Sequence, residues 1–391
     1  MSRISRTLLL ALLGACASTV LASAQAASSQ TEVGNSTQAS SSPVAYVYVA
    51  SYGSTANQVY GYSAAANGSL TAIPGSPFPD NISGLALNGA WLFGVQAGTG
   101  TSSGQVIESY AIAANGVLNY KTQTTVNDSG GGATYLYLDH TGYSLYADYY
   151  TTNNDYLAYS IDQSTGGLTF VNLLAGGPPN NGPVSFVGNN QFAYSSSCYH
   201  FGPSIYGVQR ASDGSLSYLN INPPYPTPPA AGDFYCPWSA AADPTTHLAV
   251  AMQPLTSNWG SAGPYQLASY TVDSAGNLTT SSTYLNMPKV LVGGVINYTM
   301  SPNGKYLAVA GSSGLQMFRF NGANPITHMT GLLTKDAVYE VFWDNANHLY
   351  AVTQSTGKLY VFSVTSTAVK QAPGSPYSIP NAQYLIVLPK T

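Results

Sequence analysis

The chain has 391 residues, of which 45% are hydrophobic, 12% aromatic and only 7% charged, with 39 Gly, 24 Pro and 31 Tyr. Soluble domains average about 25% charged residues, yet a disordered tail would need high charge and few aromatics, and a coiled coil would be rich in Glu, Lys, Ala and Leu. With 11 Lys+Arg against 15 Asp+Glu, no electrostatic attraction to nucleic-acid phosphate is on offer, which leaves an all-β protein kept soluble by Ser, Thr, Asn, Gly and Tyr.

Residues 1–26 read as a secretory signal peptide. A basic start with Arg3 and Arg6 leads into TLLLALL from Thr7, and small-x-small sites follow at Ala22–Ala24 and Ala24–Ala26. The apolar run is too short for a membrane span. A second reading stays open, because LGAC from Leu13 resembles a bacterial lipobox with Cys16 as the lipidated residue. Either reading exports the chain, as a periplasmic, outer-membrane-anchored or secreted protein. Residues 27–43 form a Ser/Thr-rich linker. Losing the leader leaves 9 basic against 15 acidic residues, a net charge of −6.

From residue 44 onward the chain repeats. The landmark is a Gly just before an apolar residue, which falls at Leu70, Leu118, Leu168, Leu216, Leu278, Ile326 and, most weakly, Val369. The intervals are 48, 50, 48, 62, 48 and 43 residues, the long one holding a Pro-rich insertion near Pro223 and a Gly/Trp/Pro loop near Trp259. A second landmark keeps the same register: a tight Asp/Asn/Pro/Gly turn before an apolar strand, as in DHTG from Asp139, SPNG from Ser301 and DNAN from Asp344. The strands after it read WLFGV from Trp91, YSLYA from Tyr143, YLAVA from Tyr306 and HLYAV from His348. PGSP at Pro74 recurs at Pro373. No segment keeps a 3.6-residue period, so helix is expected to be minimal.

Four short strands per unit at this period indicate a β-propeller, here seven-bladed over residues 44–391. The first unit starts at its second strand (AYVYVA from Ala45), and the chain ends with an orphan strand, QYLIVL from Gln383. The orphan is therefore expected to complete the first blade and close the ring, which leaves only short, protected edges.

The stretches YVYVASYG from Tyr46, VYGYS from Val59 and NGSLTAIPGSPF from Asn67, with SPNGKYLAVA from Ser301, resemble the seven-bladed lactonase family. That family comprises the 6-phosphogluconolactonase-like enzymes and the YVTN-repeat surface proteins. The resemblance spans all seven units but is architectural, and fold does not fix function. The family's His-x-His positions register on Gly132 and Thr134. Its Pro-Arg-His registers on Pro237, Trp238 and Ser239, and its Glu on Gln253. Lactone hydrolysis needs a base for water and a donor for the oxyanion, and these residues supply no base. The expectation is thus an exported, monomeric, non-enzymatic binding or surface-scaffold protein. The alternative is a lactone hydrolase with a rearranged site drawn from His200, Glu340 or Asp155.

One propeller face carries the connections between blades and between second and third strands. On it the sequence places Tyr149, Asn154, Tyr199, Trp238, Gln253 and Trp259, an aromatic and amide surface suited to a glycan, a peptide or an envelope protein. The competing reading is a Tyr-rich soluble coat. Cys198 and Cys236 fall on this face in neighbouring blades, as a disulfide or as two buried thiols. No cofactor is expected. DYYTTNND from Asp148 offers oxygens for Ca²⁺ but lacks the EF-hand order. His140, His247 and His348 sit in equivalent turns on the opposite face, where solvation is expected, and Arg319 is expected between blades.

Overall fold

A computed structural model describes residues 42–51, 57–96, 105–126, 132–150, 154–177, 184–198 and 202–390. The proposed leader, Cys16 and nearly all of the linker lie outside the described residues, as do Tyr199 and His200. No described helix is long and apolar enough to cross a membrane.

Seven antiparallel sheets follow one another along residues 41–391. Six have four strands, and the last carries a short fifth, Tyr377–Ser378. The innermost strands are Ala382–Pro389 in blade 1, Ile82–Leu87 in blade 2, Gly132–Leu138 in blade 3 and Ser185–Phe186 in blade 4. Phe234–Ala242, Val295–Met300 and Glu340–Trp343 serve blades 5, 6 and 7. The chain is therefore an all-β, seven-bladed propeller. Its ring closes as the repeat predicts: Ala382–Pro389 pairs with Ala45–Ser51, Val47 opposite Val387 and Tyr48 opposite Ile386.

The second strands of blades 1, 4, 6 and 7 are buried from end to end, which explains their largely apolar runs. A central strand with both faces covered needs no polar alternation. Alternate side chains instead serve alternate neighbours: Val47 and Val49 pack with Val352 and Val361 of blade 7, whereas Tyr46 and Tyr48 pack with Leu92 and Tyr110 of blade 2. Seven such clusters, one per blade interface, make up the core. Full burial of each such large side chain stabilises by about 1.5–3 kcal/mol.

The Gly landmark has a definite job. Tyr48 Oη donates to the Gly116 carbonyl at 2.7 Å, Tyr146 Oη to Gly214 at 2.9 Å and Tyr194 Oη to Gly276 at 2.7 Å. Each bond runs from a second strand to the outer hairpin of the next blade. At Gly116, φ is +85° and a Cβ would come within 2.9 Å of the Tyr46 ring, so only glycine serves. The repeated PGSP is also explained. Ser76 Oγ accepts from the Gly61 amide and Ser375 Oγ from the Val361 amide, both at 2.9 Å, extending each third strand's bonding past the end of its fourth.

Charged residues on the opposite face act as inter-blade ties. Arg210 Nη2 of blade 4 meets Asp139 Oδ2 of blade 3 at 2.7 Å, with the carboxylate fully buried. Arg319 lies between blades as expected, its Nη2 donating to the Ser366 carbonyl of blade 7 at 3.0 Å. His348 departs from expectation: it is buried, with Nδ1 2.7 Å from Asp344 Oδ2. That carboxylate also accepts from Tyr350 Oη at 2.9 Å, and the blade 1 turn at Gly68 packs over the imidazole. Burial is tolerable because Asp344 accepts from several donors at once.

Candidate functional site

The innermost strands enclose a central cavity of about 990 Å³, at the upper end of the range for small-molecule sites. Five of these strands bulge where they line it: between Ser83 and Ala86, Ala133 and Tyr135, Trp238 and Ala240, Val295 and Asn297, and Ala382 and Tyr384. A bulge re-aims the side chains beside it. The blade 5 bulge is the most firmly pinned. Ser239 adopts φ +55°, and its carbonyl accepts from Ser196 Oγ of blade 4 at 2.8 Å and from Tyr298 Oη of blade 6. The same Tyr298 hydroxyl lies 3.1 Å from the Trp238 carbonyl, so the two carbonyls share its one proton. Trp238 is thus held in the cavity wall from both neighbouring blades, and its Nε1 is buried with no hydrogen-bond partner among the described residues.

Across the cavity, Tyr135 of blade 3 and Tyr384 of blade 1 meet edge to face, with centroids 6.5 Å apart at 72°. Gly84 of the intervening blade 2 lines the cavity beside them. Two carboxyl groups share the same wall. Asp148 is buried and stands opposite Tyr135 in the ladder of blade 3. Glu340 opens the innermost strand of blade 7, and Asn297 Nδ2 of blade 6 donates to its Oε2 at 3.0 Å. Desolvation pushes the Glu340 carboxyl up to about 8, opposed by that one hydrogen bond. Burial also pushes Tyr135 up to about 12, with Glu340, Tyr384 and Asp148 adding to the effect. Among the described lining residues none is Lys, Arg or His.

The residues singled out in the sequence distribute unevenly around this cavity. Trp238 and Glu340 line it; Gln253 and Trp259 are not among its lining residues. Gln253 pairs with Cys236 in the blade 5 ladder, and Trp259 packs edge-on against Phe234 at 5.0 Å with half its surface exposed. Cys198 and Cys236 form a disulfide with Cα atoms 5.2 Å apart, tying blade 4 to blade 5 beside Leu255 and Trp238. Tyr149 and Asn154 lie on adjacent strands of blade 3, where Asp155 pairs with Tyr149 and Asn154 with Tyr150. Asp155 Oδ1 accepts from the Gly176 amide at 2.8 Å. Of the stretch weighed for Ca²⁺, Asp148 reaches the cavity while Asp155 serves the third strand, and residues 151–153 lie outside the described set. Among the described residues no three His, Cys, Asp or Glu side chains converge as metal ligands would.

The sequence reading missed Asp148 as a cavity residue, and it missed Tyr135, Asn297 and Tyr384 altogether. Position in the innermost strand was a signal for three of them. Which side chains reach the cavity depends on the bulges, and those have no sequence signature here.

No family model matches the sequence, and no curated protein matches it. Solved structures do match in fold. A candidate 6-phosphogluconolactonase from Bacteroides uniformis ATCC 8492 aligns over 88% of this chain and 99% of its own, at 14% identity and a TM-score of 0.65. A second, from Bacteroides fragilis NCTC 9343, aligns over 88% and 98% at 12% identity and a TM-score of 0.62. A protein from Lactobacillus plantarum aligns over 88% and 99% at 15% identity and a TM-score of 0.61. The chain therefore shares the architecture of these propellers, and at such identities the likeness is one of fold alone.

Proposed function

We propose that this chain is an exported, lactonase-like propeller that acts as a binding or surface-scaffold protein and takes its ligand in the central cavity. One observation carries the reading: a cavity of about 990 Å³ walled by Tyr135, Tyr384 and Trp238, with the Asn297 amide and two carboxyl groups among them. Aromatic faces and a few fixed polar groups are what a stacking, hydrogen-bonding site requires. The disulfide between Cys198 and Cys236 is compatible with export. The ligand class is a glycan or a peptide fragment rather than a sugar phosphate, because no described cationic side chain lines the cavity to pair with phosphate.

The test is an array of glycans and peptidoglycan fragments probed with the purified protein. Saturable binding is expected, weakened at least tenfold by Trp238→Ala. A blank array, or binding indifferent to that substitution, overturns the reading.

Glu340 supports a second reading. A carboxyl held near 8 in a cavity is a suitable general acid or base, so a lactone or ester hydrolase with a rearranged site is the alternative. Turnover of simple lactones that is abolished by Glu340→Gln would establish the enzyme in place of the binding protein.

A further inference from the structure

The outermost strand of each blade presents an unpaired edge, and native proteins keep such edges short, charged or interrupted. Six of the seven outer strands here obey. Those of blades 1, 4, 5 and 7 have two or three residues: Leu70–Ala72, Leu216–Tyr218, Leu278–Thr279 and Val369–Gln371. That of blade 2, Leu118–Thr125, carries Lys121 in mid-strand. That of blade 6, Asn324–Leu332, carries Pro325, and its register shifts twice. Blade 3 departs from the pattern. Its outer strand, Leu168–Gly177, runs for ten residues, LTFVNLLAGG, with no charge and no proline. It ends its sheet, so among the described residues no further strand pairs with its outer edge.

In the ladder of blade 3, Tyr159 stands opposite Phe170 and Ala158 opposite Asn172, which leaves Val171 as an extra residue. A bulge of this kind usually turns an edge away from partners. Here it keeps two large apolar side chains on one flank. Phe170 and Leu173 stand opposite Tyr159 and Leu157, which lie two residues apart and pack in the same core cluster between blades 2 and 3. Phe170 is 39% exposed and Leu173 46%. The edge is also held in place. Asn172 Nδ2 donates to the Leu216 carbonyl of blade 4 at 3.0 Å, and its Oδ1 accepts from the Leu216 amide at 3.2 Å. A strand fixed in advance loses little freedom when it pairs.

We propose that this edge pairs with the same edge of a second copy of the chain, antiparallel about a two-fold axis between Val171 and Asn172, to form a reversible homodimer. That register sets Phe170 of one copy opposite Leu173 of the other on both sides of the axis. It joins the two copies of blade 3 into one continuous sheet. A two-fold axis makes the edge its own complement, and an uncharged strand brings no like charges together across the seam. A single pair of strands buries less surface than a permanent dimer does, so the association depends on concentration. The monomer expected from the sequence thus gives way to a monomer–dimer equilibrium. No cavity residue takes part, and the inference stands whatever the cavity binds.

The experiment is sedimentation equilibrium of the purified protein across the micromolar range. The parent is expected to dimerise, and Phe170→Glu and Leu173→Lys are each expected to weaken self-association at least tenfold. An equimolar mixture of the two variants is expected to recover the dimer, because the new carboxylate of one copy then faces the new ammonium of the other. Recovery also shows that both variants are folded. Tyr120→Lys, an exposed position on the outer strand of blade 2, is expected to leave the dimer intact. A parent that sediments as a monomer throughout overturns the proposal. So does a mixture that fails to reassociate, or a dimer that survives both blade 3 substitutions.

Discussion

The hydroxyl of Tyr146 in blade 3 donates to the carbonyl of Gly214 in blade 4 at 2.9 Å, and the same bond recurs from Tyr48 to Gly116 and from Tyr194 to Gly276. A chain so poor in charge joins its blades through tyrosine hydroxyls and glycine carbonyls. Removing one hydroxyl strands a buried acceptor, at a cost of about 1–2 kcal/mol. Tyr48→Phe and Tyr194→Phe are therefore each expected to lower unfolding stability by about that amount in urea titrations, and the double variant by their sum, because the two bonds share no partner. Unchanged midpoints would show that these bonds contribute nothing net.

Arg210 offers a harsher test of the same interface. Its partner Asp139 is fully buried and also accepts from Thr141 Oγ1 and Asn190 Nδ2. Deleting the guanidinium leaves a buried carboxylate short of its counter-charge, and Arg210→Ala is expected to cost about 3–5 kcal/mol. Denaturant midpoints measure this, and a loss below about 1 kcal/mol would mean that water replaces the arginine.

The Cys198–Cys236 bond closes a loop with a sequence separation of 38. Loops of that size are stabilised by about 2–4 kcal/mol. Replacing both cysteines with serine is expected to lower the thermal midpoint and to leave the variant insensitive to reductant, whereas the parent's midpoint falls on reduction. A parent protein whose midpoint is unmoved by reduction would refute the contribution assigned to this bond.

Glu340 makes stability depend on pH in a direction opposite to most carboxylates. Its carboxyl titrates near 8 in the folded chain against an ordinary 4.5. Between those values the native state holds a proton that the unfolded chain has released. The contribution is fully present below about pH 4.5 and declines as pH rises to 8, by up to about 1.4 kcal/mol per pH unit. Urea unfolding at pH 5, 6, 7 and 8 is expected to show this decline in the parent and a flatter profile in Glu340→Gln. Parallel profiles would place the carboxyl at an ordinary value.

The architecture was legible because a propeller writes its period into the chain. Glycine is required at Gly116 by backbone angle and close packing, and AYVYVA from Ala45 must be apolar on both faces. The ring closure followed from an orphan strand at one end and a missing one at the other, and the cysteine pairing from their shared face. The cavity was legible only in part. Trp238 and Glu340 were singled out, but the Asn297–Glu340 bond joins different blades, and Tyr135 meets Tyr384 across a third. Such pairings depend on how far each bulge turns its strand. His348 was misjudged for a related reason: the blade 1 turn that covers it lies some 280 residues earlier in the chain.

The ring's seam places residues 45 and 389 opposite one another, and the Lys390 amide donates to the Val44 carbonyl at 2.8 Å. In this molecule, beginning and end are a matter of where the circle was cut. A linker of a few residues joining 389 to 45, with new termini opened in an exposed hairpin turn such as that around Asn115, trades a hydrogen-bonded seam for a covalent one. Every blade and the central cavity would remain where they are, while the closing strand would no longer have a free end to fray.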